Sequence, residues 1–287
     1  ASIDDVIFGD ANQAGESNRN VARMASLLAG LPVDVPGTTI NRLCASGMDA
    51  VGMASRGIRS GDYDMAIAGG VESMSRAPFV MPKATAAFTR ANEVFDTTIG
   101  WRFINRKMKD AYGVDSMPQT ADNVAAEYNI NRFDQDAFAA RSQAKWAAAH
   151  DAGLFADEIV PMAATMAVKD KETGEVSHQD VTVDRDECNR PQTNIESLNG
   201  LNPVREGGFV TAGNASQLSD GSAAVVLMEA SDAERQGIEP LGAFKGFAVA
   251  GCEPDEMGIG PVFAVPRLLE RHGLKVEDID LWELNEA

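Results

Sequence analysis

Apolar residues recur at helical and at strand spacing through the first 75 residues of the chain. Residues 18–29 carry apolar positions at helical spacing, which predicts a helix. Residues 37–43 form a short segment with β-branched residues, which predicts a strand. Residues 45–59 show helical spacing again. Residues 64–68 form an apolar run ended by Gly69-Gly70, which is typical of a buried parallel strand. Strand, helix and strand in this order predict an α/β fold.

The pattern changes between residues 76 and 209, a stretch longer than any plain connection between strands. Helical spacing is clear at 120–128 and at 132–151, and the remainder of the stretch is loop and short strand, with a Thr-Gly turn inside 169–176. We therefore predict an inserted subdomain at 76–209.

The α/β pattern resumes after the insertion. The pattern predicts strands at 223–228, 241–250 and 279–284. It also predicts a helix at 265–272 that ends at a glycine. The chain lacks an initiator methionine, and its last residues, DIDLWELNEA, stop just after a predicted strand. We expect from this that both termini are truncated.

Composition limits the class of protein. A chain of 287 residues with 44% hydrophobic and 24% charged residues is typical of a soluble globular protein with one large domain or two ordinary ones. No apolar run reaches the roughly 18 residues of a membrane helix. The three cysteines are widely spaced and predict neither a disulfide framework nor a zinc site, so a reducing cytoplasm is the simplest location.

The formal net charge of −18 argues against nucleic acid and anionic membranes as partners. A ligand that carries phosphates would need a local concentration of arginines in so acidic a chain. The acidic surface fits either salt adaptation or ordinary solubility charge, and the sequence leaves both open.

Cys44 is the first candidate for chemistry. It follows a predicted strand and precedes a helix of small residues, so its sulfur lies near a helix N-terminus, where N–H groups and the helix dipole favour a thiolate nucleophile. Taken alone, the pattern is more often that of a small buried cysteine of the core. Two weaker candidates are the Gly-, Asn- and Ser-rich segment 207–221 and the Asn285-Glu286-Ala287 ending, each of which also suits a plain turn.

Several sequence motifs taken together indicate the protein family more specifically than any single candidate residue or segment does. The segment NRLCASGMDAV around Cys44 resembles the nucleophile motif of the thiolases, and AGGVESMSRAPFVM resembles the strand and turn that follow it in that family. MPQTADNVA, VTAGNASQLSDGSAA, MGIGPVFAV and LNEA resemble further thiolase segments in the family's order. Within the family, the 3-oxoadipyl-CoA thiolases are the most similar branch, on the segments ANQAGESNRNVARMASLLAGLP and FDTTIGWRFINRKMKDAYGVDSMPQTADNVA.

The resemblance implies a fold and a division of the chain. It implies the thiolase fold, with mixed five-stranded sheets in a layered α/β/α/β/α arrangement, an inserted loop subdomain and an incomplete second half. The N-terminal thiolase half would then comprise 1–75 and 210–232. The loop subdomain at 76–209 would bind coenzyme A and substrate, and 233–287 would begin the C-terminal half.

The resemblance also implies roles for five residues. Cys44 would take the acyl group from a 3-oxoacyl-CoA, and Asn285 would hold a water molecule in an oxyanion hole. Ser216 would bind the pantetheine arm of coenzyme A, Met117 would line its tunnel, and Arg190 would lie near the adenine nucleotide. Coenzyme A would be a co-substrate, no metal would be needed, and the protein would form a homo-dimer or homo-tetramer.

Three departures from the family's motifs qualify these expectations. Ser116 stands where many acetoacetyl-CoA thiolases have histidine, which favours a longer or dicarboxylic acyl chain, and Gln217 and Ser219 stand where other thiolases have Gly and Asn. The family's activating histidine, in a Gly-His-Pro segment, and its second catalytic cysteine would both follow LNEA. We therefore expect the 287 residues alone to be inactive.

The substrate and the class of protein stay open at this point. A basic group formed by Arg102, Arg106, Lys107 and Lys109 would suit the free carboxylate of a dicarboxylyl-CoA, or it is simply a solvated helix face. A general acetyl-CoA acetyltransferase and a non-catalytic CoA-binding fragment are the alternatives. The VTAGNAS and LNEA motifs argue against a β-ketoacyl synthase.

Overall fold

The computed structural model describes residues 2–90 and 92–286, so Ala1, Ala91 and Ala287 lie outside the described residues. Contacts divide the chain into two compact units, one of residues 1–120 and 218–284 and one of residues 121–217 and 285–287. The described strands are β1 (Asp5–Gly9), β2 (Thr38–Ile40), β3 (Met65–Glu72), β4 (Phe79–Val80), β5 (Phe95–Asp96), β6 (Met162–Lys169), β7 (Val176–Val183) and β8 (Gly221–Met228). The described α-helices are α1 (Val21–Leu28), α2 (Ser46–Ser60), α3 (Arg106–Tyr112), α4 (Met117–Glu127), α5 (Arg132–Asp151), α6 (Ile195–Asn199), α7 (Ala230–Gln236) and α8 (Gly260–His272).

The first unit is built on a mixed four-stranded sheet in the order β2-β1-β3-β8. Strand β1 runs parallel to both β2 and β3, whereas β8 pairs antiparallel with β3 over their whole length, from Met65 opposite Met228 to Glu72 opposite Gly221. Successive side chains of a strand point to opposite faces. Ile7 of β1 therefore packs with Ala50 and Ala54 of α2, whereas Val6 packs with Ala22 of α1.

A sheet covered by helices on both faces is the α/β arrangement that the sequence predicted. Helix α2 and the parallel strand β3 are confirmed, and α1 lies within the predicted 18–29. One boundary was wrong: Gly69-Gly70 does not end the strand, because β3 continues to Glu72, where residues 71 and 72 pair with Ser222 and Gly221 of β8.

Two predicted strands, at 241–250 and 279–284, are absent from the described residues. Both segments have strand-like composition, but a strand exists only where a neighbouring backbone completes its hydrogen bonds, and no described segment pairs with either. The helix predicted at 265–272 is real and starts earlier, since α8 spans Gly260–His272.

The second unit contains the long helix α5, the antiparallel hairpin of β6 and β7, and the short helix α6. Helix α5 has the predicted bounds because the side chain of Asn131 accepts a hydrogen bond from the backbone of Asp134 (3.0 Å) at its start. The side chains of β6 and β7 are exposed along almost the whole hairpin. No helix among the described residues is long and apolar enough to cross a membrane.

Candidate active site

The turn between β2 and α2 presents Cys44 to solvent. Strand β2 ends at Ile40 and α2 begins at Ser46, so five residues reverse the chain. Leu43 has a φ of 48°, a left-handed conformation that non-glycine residues rarely adopt. The following residue, Cys44, is exposed and lies two positions before the first helical residue. The structure therefore confirms that this cysteine lies beside a helix N-terminus and does not belong to the core.

Side-chain hydrogen bonds hold this turn in its left-handed conformation. The Leu43 N–H donates to Oδ1 of Asn41 (2.8 Å), and Nδ2 of Asn41 donates to the carbonyl of Ala11 (2.8 Å). The hydroxyl of Ser46 donates to the Leu43 carbonyl (2.6 Å) and accepts from the Arg42 N–H (2.7 Å). The turn is thus tied to the loop after β1 through Asn41 and to the start of α2 through Ser46.

Close packing of backbone on backbone fixes the start of α2 against the sheet. A Cβ atom at Gly9, the last residue of β1, would lie 2.2 Å from the Ser46 carbonyl carbon and 2.4 Å from the Gly47 nitrogen. A Cβ atom at Gly70 of β3 would lie 2.9 Å from the Gly9 carbonyl oxygen. Real Cβ atoms do not approach other atoms so closely, so only glycine lets the helix sit this near the strand ends.

Two carboxyl groups lie where β1 and β3 end. Glu72 accepts hydrogen bonds from the backbone N–H groups of Ala11 (2.8 Å) and Asn12 (3.2 Å). Asp10 is only 1% exposed, and neither of its carboxyl oxygens has a partner in the described residues. Burial raises the pKa of Glu72, the Ala11 N–H lowers it, and the charge of Asp10 raises it further.

The Gly-, Asn- and Ser-rich segment 207–221 is built around a structural asparagine in the second unit. Oδ1 of Asn214 accepts from the Thr211 N–H (2.7 Å), and its Nδ2 donates to the carboxylate of Asp136 (2.9 Å). Asp136 is fully buried and also accepts from Nε of Arg132 (2.7 Å), whose Nη2 donates to the carbonyls of Leu198 and Leu201. This network anchors the loop to α5.

A second ion pair fixes the beginning of the same segment. The carboxylate of Asp122 accepts from Nη1 of Arg205 (2.7 Å) and from the N–H of Phe209 (2.8 Å). Neither acidic anchor of this segment has a signal in the sequence, because Arg205 lies 83 residues from Asp122 and Asn214 lies 78 residues from Asp136. Buried charges of this kind need such partners.

The other predicted site residues fall in both units. Met117 is half-buried, begins α4 and belongs to the first unit, as Cys44 does. Arg190, Ser216 and Asn285 belong to the second unit, and all three are exposed. The backbone N–H of Arg190 donates to Oε1 of Gln143 on α5 (2.7 Å), which holds the start of this loop in place. The roles of these residues stay predictions.

The predicted basic group is spread over two kinds of environment. Arg102 is half-buried and lies 3.4 Å from Oδ1 of Asn12, whereas Arg106, Lys107 and Lys109 are exposed on α3. Arg106 lies 3.7 Å from Asp110 on the next turn of that helix. Among residues 2–90 and 92–286, no three His, Cys, Asp or Glu side chains gather closely enough to hold a metal ion.

Comparison with protein families gives two matches that together cover nearly the whole chain. Residues 1–231 match the model described as "Thiolase, N-terminal domain" and residues 238–287 match "Thiolase, C-terminal domain". The chain is 58% identical over 286 residues to the beta-ketoadipyl-CoA thiolase of Pseudomonas putida, covering 99% of this chain and 69% of the relative. It is 56% identical to the 3-oxoadipyl-CoA/3-oxo-5,6-dehydrosuberyl-CoA thiolase of Escherichia coli (strain K12), with the same coverage.

Solved structures give the same result for the fold. The Bacillus anthracis acetyl-CoA acetyltransferase matches with a TM-score of 0.83 and 37% identity, covering all of this chain and 69% of that one. Human mitochondrial 3-ketoacyl-CoA thiolase in complex with CoA matches with a TM-score of 0.84 and 35% identity, covering all of this chain and 68% of that one.

Proposed function

The chain belongs to the thiolase family and has the thiolase fold, and on that basis we propose that Cys44 carries the acyl group when a 3-oxoacyl-CoA is cleaved with coenzyme A. The observation that carries the proposal is the exposed thiol at a tightly held turn beside the N-terminus of α2. A nucleophile for acyl transfer needs an accessible thiol and surroundings that favour the thiolate.

The reaction takes two steps at this sulfur. The Cys44 thiolate adds to the 3-oxo carbon of the substrate, the bond between the second and third carbons breaks, and the released acetyl-CoA carbanion takes up a proton. The thiol of a second coenzyme A then attacks the acyl-enzyme thioester, loses its proton, and releases the shortened acyl-CoA together with the cysteine. Asn285 would hold a water molecule that hydrogen-bonds the thioester oxygen of the leaving acetyl-CoA.

Coenzyme A is the co-substrate of the proposed reaction. Ser216 would bind its pantetheine arm, Met117 would line the tunnel around that arm, and Arg190 would lie near the adenine nucleotide. The exposed side chains of Ser216 and Arg190 leave both open to a ligand. Arginine also suits a phosphate partner, which an acidic chain must attract locally.

We further propose 3-oxoadipyl-CoA as the substrate, which would leave a succinyl group on Cys44. The support is the higher identity to beta-ketoadipyl-CoA thiolases, 58% for that of Pseudomonas putida, than to the acetyl-CoA acetyltransferase of Chromobacterium violaceum, at 44%. The exposed cations of α3 offer a partner for the free carboxylate. The coverage of the Chromobacterium relative, 99% of this chain, keeps a general acetyl-CoA acetyltransferase as the second candidate.

Acylation of the 287-residue chain tests these proposals without requiring turnover. The chain would be incubated with 3-oxoadipyl-CoA or acetoacetyl-CoA, digested, and searched by mass spectrometry for succinyl or acetyl on the Cys44 peptide. Cys44→Ala should abolish the adduct. Cys252→Ala should leave it unchanged, because burial and then the charges of Glu256 and Glu253 raise the pKa of the Cys252 thiol.

The outcomes separate the candidates. Faster acylation by 3-oxoadipyl-CoA supports the dicarboxylyl substrate, and equal rates would remove it in favour of the general acetyltransferase. Binding of coenzyme A without any covalent adduct would show a non-catalytic binding fragment.

We also propose that these 287 residues do not complete the catalytic cycle alone, because the family's activating histidine follows the LNEA motif. His150, His178 and His272 match no catalytic position of the family. Thiolytic cleavage of 3-oxoacyl-CoA by the chain, lost on Cys44→Ala, would contradict this. A homo-dimer or homo-tetramer in the cytoplasm completes the proposal, and light scattering of the chain measures its oligomeric state.

A further inference from the structure

The carboxyl ends of the parallel strands β1 and β2 lie side by side, and Cys44 belongs to the loop that follows β2. Gly9 of β1 is opposite Ile40 of β2, and just beyond that pair the N–H of Asp10 donates to the Ile40 carbonyl (3.0 Å). After β1 the chain leads to α1 on one face of the sheet, and after β2 it leads to α2 on the other face. Loops that part in this way leave a crevice at the carboxyl edge of an α/β sheet, where ligands bind.

Arg102 is brought to this edge from a distant part of the chain. Its Nη2 lies 3.4 Å from Oδ1 of Asn12, in the loop that follows β1. Nδ2 of Asn12 donates to the carbonyl (3.1 Å) and to the hydroxyl (2.9 Å) of Thr97, which is 3% exposed, and the Thr97 hydroxyl donates to the Pro78 carbonyl (2.6 Å). The N–H of Asn12 donates to the carboxylate of Glu72 at the end of β3 (3.2 Å). This network holds the segment that carries Arg102 beside the loop after β1.

The same loop is joined to the turn that presents Cys44. The carbonyl of Ala11 accepts from Nδ2 of Asn41 (2.8 Å), and Oδ1 of Asn41 accepts from the N–H of Leu43 (2.8 Å). Ala11 directly precedes the residue that Arg102 contacts, and Leu43 directly precedes Cys44. The guanidinium and the thiol are thus held at the same edge of the sheet.

No carboxylate pairs with Arg102 in the part of the chain that the structure describes. The other arginines that follow these strands are engaged. Arg42, after β2, pairs with Asp49 (3.0 Å), and its charge is therefore compensated. Arg76, after β3, pairs with Glu16. In a chain with a net charge of −18, a half-buried guanidinium whose contact is a neutral amide is available to the carboxylate of a ligand, which it can bind through two parallel N–H donors.

We propose that Arg102 binds the free carboxylate of the acyl group carried by Cys44 and is the residue that determines specificity for a dicarboxylyl-CoA. The proposal rests on the proposed role of Cys44 as the acyl-accepting nucleophile. A succinyl group is bonded to the sulfur at one end and pairs with the guanidinium at the other. An acetyl group has no second carboxyl group and gains nothing from Arg102. The cations of α3 are exposed, where an ion pair is worth little.

Alkylation of Cys44 tests the carboxylate contact without a thioester. The reagent 5-bromo-4-oxopentanoate carries its carboxylate two methylene groups beyond a carbonyl, as the succinyl group does, and its methyl ester is the neutral match. With either reagent the thiolate displaces bromide and forms a thioether, which mass spectrometry of the Cys44 peptide quantifies. The ratio of the acid rate to the ester rate measures the effect of the carboxylate. The ester rate alone reports whether the turn around the thiol is intact.

The ratio should be about tenfold higher in the wild type than in Arg102→Gln, because hydrogen bonds between charged groups are the strong ones. Arg102→Lys should keep part of the preference, since it keeps the charge and loses the planar fork. Arg90→Gln is the matched control, because it removes the same charge from an exposed position of the same unit and should leave the ratio unchanged.

Three results would overturn the proposal. The first is an equal ratio in the wild type and in Arg102→Gln. The second is a fall with Arg106→Gln and none with Arg102→Gln, which would assign the carboxylate to α3. The third requires no variant: a wild-type ratio no higher than that of a small neutral thiol, N-acetylcysteine methyl ester, would show that nothing beside Cys44 attracts the acid.

The proposed function can fail separately from this inference. A chain that neither 3-oxoadipyl-CoA nor acetoacetyl-CoA acylates would refute the role of Cys44 in acyl transfer, yet the alkylation ratio would still decide the role of Arg102. In a chain that is acylated, Arg102→Gln should slow acylation by 3-oxoadipyl-CoA about tenfold more than acylation by acetoacetyl-CoA. Equal slowing with both thioesters would contradict the assignment.

Discussion

Replacing Gly9 by alanine would test whether close packing of α2 on the sheet holds the Cys44 turn. The added methyl group would lie 2.2 Å from the Ser46 carbonyl carbon, 2.4 Å from the Gly47 nitrogen and 2.5 Å from Ser46 Cβ. Two of these three atoms belong to the helix backbone, so no side-chain rotation relieves the overlap. The start of α2 must move away until the contacts exceed 3.0 Å.

The expected loss of stability follows from two opposing effects. Overpacking of a buried site costs about 1–3 kcal/mol, and here the rigid backbone on both sides favours the upper part of that range. Alanine also restricts the unfolded chain, which stabilises the folded state by about 0.4–1 kcal/mol. The net loss in the free energy of unfolding should be about 2 kcal/mol. With a urea dependence of about 3 kcal/mol per M, the midpoint falls by roughly 0.7 M.

Urea denaturation followed by circular dichroism measures this loss, and acylation of the Cys44 peptide measures its effect on the site. A displacement of about 1 Å in an active site can cost about 100-fold in rate. The acylation rate of Cys44 should therefore fall by a larger factor than the equilibrium constant for folding. Gly242→Ala is the matched control, because its Cβ atom would meet open space and its effect should be within about 1 kcal/mol and stabilising.

Equal stability of Gly9→Ala and the wild type, within about 0.5 kcal/mol, would refute the packing argument. An unchanged acylation rate in a clearly destabilised variant would show instead that the hydrogen bonds of the turn, and not the glycine contact, position the thiol.

Three further predictions concern the rest of the chain. Asp136→Ala should cost about 3 kcal/mol in urea denaturation, because it leaves a largely buried guanidinium unpaired, whereas Asp151→Ala at the exposed end of α5 should stay within about 0.5 kcal/mol. Hydrogen bonds from the side chain and backbone of Ser75 lower the pKa of Asp220, so Ser75→Ala should raise that pKa in a carbon-13 NMR titration, and an unchanged value would contradict the assignment. Because the chain carries a net charge of −18, its midpoint of urea unfolding should rise as sodium chloride goes from 0.1 M to 1 M. The screening length falls from about 10 Å to about 3 Å over that range, which weakens the repulsion between the negative charges. A flat response would exclude charge repulsion as a limit on stability.

Local signals in the sequence located the elements whose boundaries are set locally. Helix α5 spans 132–151 as predicted, because Asn131 caps its start and its interior lacks glycine and proline. The α/β class followed from alternation of element types, which requires no knowledge of partners. Cys44 was found as a candidate for the same reason, since a strand end and a helix start flank it.

Features that depend on distant partners were missed. Residues 241–250 and 279–284 have the composition of strands, yet composition cannot show whether a neighbouring strand is present. Leu43 is a poor candidate for a left-handed turn by residue type, and only the contacts of Asn41 and Ser46 account for it. The Glu72 side chain meets a backbone 61 residues away, a pairing with no signal in either segment.

The hairpin of β6 and β7 offers a practical site of attachment for biophysical work. Its tip is a self-contained turn, in which the carboxylate of Asp170 accepts from the N–H groups of Glu172 (2.8 Å) and Thr173 (2.7 Å). Lys171 is exposed on that tip, and its neighbours in the turn satisfy one another. A fluorophore or a surface tether placed there would leave the hydrogen bonds of this turn in place, because they run between Asp170 and the backbone of its neighbours.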